Sequence, residues 1–166
     1  MTLDRPEARN GCTRHMADEI AAALLLADND PGLRVVVLTG AGEDFCVGAD
    51  LAAGKGQDKE FTTTVDDETA AQVRGGTYQE PAGVVTRVPY AMNKPVIAAV
   101  RGAAVGVEAT MLLPADFRLA GTDTGFSFPF SRRGIVPEGA STWFLPRLGR
   151  HTSHRARVGA PHFSVR

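Results

Sequence analysis

Between residues 13 and 30, "TRHMADEIAAALLLADND", apolar residues return at helical spacing: Met16, Ile20, Leu24 and Ala27, with Ala23 beside them. Thr13 is placed to cap the start of this helix, and "DNDPG" ends it. The pattern then changes. "LRVVVLTG" (33–40) is a β-branched run closed by glycine, read as a strand buried on both faces. "KPVIAAVRG" (94–102) is a second buried strand, and "FRLAG" (117–121) reads as a third strand. Helices are predicted over "AGVVTRVPYAM" (82–92), bent or ended by Pro89, and over "AVGVEATMLLPAD" (104–116), opened by Gly106 and closed near Pro114. A further helix is predicted over "EGASTWFLPRL" (138–148), and "FSFPFS" (126–131) reads as a short extended piece. Residues 41–50 form a loop with glycines at both ends, and 54–80 are polar without a period, as in a mobile loop or frayed helix. Apolar strands alternating with helices predict an α/β fold with mostly parallel pairing.

Length and composition narrow this little. A chain of 166 residues, 43% hydrophobic and 22% charged, suits one globular domain with a real core. No apolar run approaches the roughly 18–20 residues that span a membrane, and the polar start "MTLDRPEARNG" does not read as a signal peptide. Cys12 and Cys46 match no metal spacing and read as reduced thiols of a cytoplasmic protein. The net charge of −1 conceals an uneven distribution. Residues 149–166 hold four arginines, three of the four histidines and no acid. With neither aromatic interleaving nor periodicity, this segment reads as a disordered basic tail at 150–166 rather than a nucleic-acid arm. His151 and His154 lack further ligands for a metal.

Two turns share a design. "FCVGAD" follows the strand at 35–39 and "RGAAVGVEAT" follows the strand at 96–100. In each, glycine frees the backbone just before a helix can begin, where amide N–H groups lack internal partners. Facing each other, two such turns would grip one developing oxyanion. Separately, they are simply tight turns. "GADLAAGKG" is not a phosphate loop, because five residues separate its glycines and Gly56 stands where Ser or Thr is needed. Cys46 has no histidine nearby in sequence, and no G-x-S-x-G occurs. Glu138, in "VPEGAS", is an acid set among Ile135, Val136, Trp143 and Phe144. It either caps a helix or does chemistry with a pKa raised by those apolar neighbours.

"TLDRPEARN" (2–10), "VVVLTGAGEDFCVGADL" (35–51), "NKPVIAAVRGAAVG" (93–106), "LPADFRLA" (113–120) and "FSRRGIVPEGASTWFLPRLG" (130–149), in this order, resemble the enoyl-CoA hydratase/isomerase (crotonase) family. The resemblance implies a crotonase-like ββα spiral (ClpP/crotonase fold), incomplete and lacking the C-terminal trimerisation helices, with the acyl-CoA-binding core at 1–149. It implies an acyl-CoA thioester as substrate, with coenzyme A part of that substrate and no separate cofactor or metal. By the same resemblance, the backbone N–H groups of Ala49 and Val107 form the oxyanion hole. Ala8, Arg9, Asn10, Gly48 and Asp50 line the coenzyme A site. The two acids of the hydratases correspond to Thr110 and Phe130, neither of which can take a proton. The "PEG" setting of Glu138 is similar to the Δ3,Δ2-enoyl-CoA isomerase branch, where one glutamate works alone. Isomerisation in fatty-acid metabolism is therefore expected, the alternative being an inactive member that binds coenzyme A or a full-length relative. The chain starts inside the family pattern and leaves it after 149, so it reads as truncated at both ends, without the region through which the family forms trimers and hexamers. Glu108 stands where the oxyanion turn usually carries a small residue, and it would repel the oxyanion unless it points to solvent.

Overall fold

The computed structural model describes residues 1–50 and 80–148, and the backbone of 163–164. The elements are β1 (Thr2–Leu3), α1 (Arg14–Asn29), β2 (Val36–Gly40), α2 (Pro81–Ala91), β3 (Val96–Val100), β4 (Ala103–Val105), α3 (Val107–Met111), β5 (Phe117–Ala120), β6 (Gly125–Ser127), α4 (Ser141–Leu148) and β7 (Phe163–Ser164). Strands β1-β2-β3-β5 make one parallel sheet, and β4-β6-β7 a second. The strand β4 pairs parallel with β6, and β7 pairs antiparallel with β6.

The α1 helix forms as its pattern predicts. The Thr13 hydroxyl accepts the Met16 N–H at 3.1 Å, and Met16, Ala17, Ile20, Ala21 and Leu24 make its buried stripe. It packs against α2. That helix continues two residues past Pro89, which lies inside it, and ends at Ala91.

The chain turns from β3 into β4 at Gly102, φ +59°, where any Cβ would strike the Glu43 carbonyl. β3–β4–α3 and β5–β6–α4 are thus two successive strand–strand–helix turns that wind the chain between the sheets. This is the crotonase-like spiral expected above. The helix expected over 104–116 is shorter, because Ala103–Val105 pair with β6 instead. At its other end, the Arg118 guanidinium donates to the carbonyls of Leu112, Leu113 and Ala115.

The expectation of strands buried on both faces is corrected. Val36, Leu38, Val96, Ala98 and Val100 are in the core, but Val37, Phe117 and Leu119 are 44%, 60% and 61% exposed. Only one face of the first sheet is covered among the described residues. The segment 54–79 and the tail, except for the 163–164 strand, lie outside the described residues. No helix among the described residues is long and apolar enough to cross a membrane.

Candidate active site

Four segments converge: 5–12, 41–50, the turn 102–110 and 138–141. The first is fastened by Asn10. Its side chain accepts the Arg5 N–H at 2.9 Å and donates to the carbonyls of Ala41 and Asp44 at 2.8 and 2.9 Å. Asn10 itself is fully buried, with its side-chain amide used internally. It holds its neighbours Ala8, partly exposed, and Arg9, exposed, at the surface. Replacing Asn10 by Ala leaves the partly buried Ala41 and Asp44 carbonyls and the Arg5 N–H without this partner, and puts Ala at a left-handed φ of 55°. The expected loss is about 3 kcal/mol of unfolding free energy in urea titration. Arg9 pairs with Asp44 at 2.6 Å, and Asp44 also accepts the Ala103 N–H at 2.8 Å. The hydrogen bond from Arg9 holds the Asp44 carboxyl below its usual range. Asp50 is held by Arg5 at 2.9 Å.

The two glycine turns meet. Cys46 bridges to Ala104 and Ala49 to Cys12, which brings 41–50 beside β4. Gly48, φ +102°, lies so close that a Cβ on it would stand 3.2 Å from the Val105 carbonyl oxygen. A Cβ on Gly106, φ +64°, would come within 4.0 Å of the Gly48 Cα. The Ala49 amide follows the first of these glycines and the Val107 amide follows the second, at the first position of α3. Neither amide donates a hydrogen bond among the described residues. Two unpaired N–H groups on abutting turns suit an anionic oxygen.

Glu138 stands just before Gly139 (φ +59°) and Ala140 (φ 54°), consecutive left-handed residues that turn the chain into α4. A Cβ on Gly139 would lie 2.6 Å from the Thr110 hydroxyl, so the segment rests on the helix that follows the second glycine turn. The Glu138 carbonyl accepts the Ser141 N–H at 3.0 Å, but its carboxylate makes no hydrogen bond among the described residues. Glu138 therefore does not cap α4 with its side chain. Burial, and secondarily the charge of Glu80, push its carboxyl up to about 7. Trp143 and Phe144 are engaged elsewhere: Trp143 stacks under the Arg147 guanidinium, and Phe144 meets Tyr90 edge-on.

Glu80 was hidden from the pattern, at the end of an aperiodic stretch. One of its oxygens accepts the Gly139 N–H at 3.0 Å, while the other is buried without a partner among the described residues. An acid directly before the proline that opens a helix was the available signal. Thr110 and Phe130 are both buried, and the Thr110 hydroxyl donates to the Val107 carbonyl. Glu108 does not point to solvent. It is 0% exposed, and among the described residues neither carboxyl oxygen has a hydrogen-bond partner. Among the described residues no three metal-ligating side chains gather.

The enoyl-CoA hydratase/isomerase family model matches residues 1–166. Enoyl-CoA hydratase ACTT3 of Alternaria alternata is 38% identical over 148 residues, covering 89% of this chain and 46% of that protein. The 1,2-epoxyphenylacetyl-CoA isomerase of Escherichia coli (strain K12) is 34% identical, with 89% and 53% covered. The crystal structure of an enoyl-CoA hydratase/isomerase from Pseudoalteromonas atlantica T6c superposes with a TM-score of 0.70 at 30% identity, covering 88% of this chain and 52% of that one. The chain spans about half the length of the curated relatives it matches.

Proposed function

This chain belongs to the enoyl-CoA hydratase/isomerase family, and from that premise we propose that it isomerises a 3-enoyl-CoA thioester to the conjugated 2-enoyl-CoA. One observation carries the reading. Among the described residues the half-buried Glu138 carboxylate, just ahead of the Gly139 that rests on Thr110, has no hydrogen-bond partner, and burial pushes it up to about 7. The positions that correspond to the hydratase acids hold Thr110 and Phe130. A proton shuttle needs a group that gives and takes a proton at similar cost, which a pKa near 7 provides.

The Ala49 and Val107 amides receive the thioester oxygen. As negative charge moves onto that oxygen, these fixed dipoles stabilise the enolate without reorganising. Glu138 removes the C2 proton, the double bond shifts from C3–C4 to C2–C3, and the same carboxyl returns the proton at C4. Ala8, Arg9, Gly48 and Asp50 lie at the edge of the site for the coenzyme, and Asn10 holds that edge in place.

The test is to incubate the chain with a 3-enoyl-CoA and follow the ultraviolet absorbance of the conjugated product. Appearance of the conjugated thioester supports the reading. Loss of a supplied 2-enoyl-CoA without any isomerisation would replace it with hydration. A second reading, a non-catalytic member that binds coenzyme A, is favoured by the acidic Glu108 next to Val107. A folded chain that binds the thioester and turns over neither substrate would establish it.

A further inference from the structure

Glu108 takes no part in the reaction above, yet it is the charged residue buried among the described ones. It directly follows Val107, in the first turn of α3. Besides its own backbone N–H, the groups that act on it come from three segments: Cys12 ahead of α1, Cys46 in the loop after β2, and Glu138 ahead of α4. None is a cation. The two thiols are themselves pushed up by burial and stay protonated; Cys12 foremost, and Cys46 less, favour the Glu108 charge, opposing its burial without outweighing it. A fully buried carboxylate that faces no cation is expensive to hold, and the neutral acid costs far less.

Resting on the reading of Ala49 and Val107 as an oxyanion-binding pair, we propose that Glu108 is a positioning residue that must carry its proton for that pair to work. Neutral, it fills the space behind the turn. Ionised, it sets a negative charge one residue from the Val107 amide and opposes the charge arriving on the thioester oxygen. Burial pushes the Glu108 carboxyl up to about 7 against the pull of Cys12 and its own backbone N–H, with the Glu138 charge adding to the rise, so both forms are reached near neutrality. The residue that would disable the turn as an anion thus becomes its proton-controlled gate.

Acetoacetyl-CoA is a suitable probe, because its enolate absorbs in the ultraviolet and reports directly on oxyanion capture. Glu138→Gln removes the other nearby titrating acid. In that background, affinity for the enolate should fall on the order of tenfold as pH rises through neutrality. Adding Glu108→Gln should abolish the fall, while the ordinary enolisation of the free probe cancels in the ratio of the two proteins. An identical pH dependence in both would overturn the role of Glu108 and leave the oxyanion pair standing. Absence of enolate binding at any pH, in proteins that keep the circular dichroism of the parent, would overturn both. Should the double variant not fold, the Glu138→Gln profile decides alone: no fall through neutrality refutes the proposal.

Discussion

Glu138→Gln should lower kcat for a 3-enoyl-CoA by about three orders of magnitude and leave KM within about twofold. The amide has nearly the same shape and cannot take a proton, so only an interaction made in the transition state is lost. The pH profile of the parent adds a second signature. Glu138 works as a base only when ionised, and its carboxyl is raised to about 7. The value of kcat/KM should therefore drop about tenfold per unit as pH falls below neutrality. On the alkaline side, ionisation of Glu108 should depress it again. The result is a bell whose two limbs belong to the coupled carboxyls as a pair rather than to either one. Stopped-flow absorbance across pH, for the parent and the Gln variant, measures both signatures. Retention of most activity by the variant would move the base elsewhere, first to Glu80, whose charge acts on Glu138.

The strands β2 and β3 could be read from the sequence because their apolar runs are short, rich in β-branched residues and bounded by glycine or proline. The α1 helix could be read because its stripe and its cap agree. Ala103–Val105 could not. Three small residues between Gly102 and Gly106 have no strand signature of their own, and pairing with β6 makes them a strand. Which face of the first sheet is covered was also invisible, since Val37 and Leu38 differ in burial but not in chemistry.

In the site, the glycine turns were visible as candidates, but their contact depends on the bridges from Cys46 and Ala49. The role of Asn10 as a staple was not legible either, because its three internal hydrogen bonds depend on Arg5, Ala41 and Asp44 coming together in the fold. The direction of Glu108 was unreadable because α3 is five residues long and buried all round, which leaves no polar face to orient it.

The same buried acid should make the fold more stable in mild acid than in mild base. A carboxyl with an ordinary value of 4.5 when exposed, raised to about 7 when folded, binds its proton more tightly in the native state. Its stabilising contribution is full below the unfolded value and is lost as pH rises towards and through the folded one. For fully buried Glu108 the loss between about pH 5 and pH 8 should be on the order of 3 kcal/mol. Glu138 pulls in the same direction with a smaller effect, being partly solvated. Asp44 is lowered and acts only in stronger acid, below this window. Urea unfolding at the two pH values should show the decline in the parent. Glu108→Gln should remove most of it and leave the variant more stable than the parent at pH 8, because the neutral amide needs no deprotonated form to be buried. A parent whose stability is flat across the window would mean that Glu108 is solvated in the native state. A decline of equal size in the Gln variant would assign the proton to Glu138 and leave Glu108 without a titrating role.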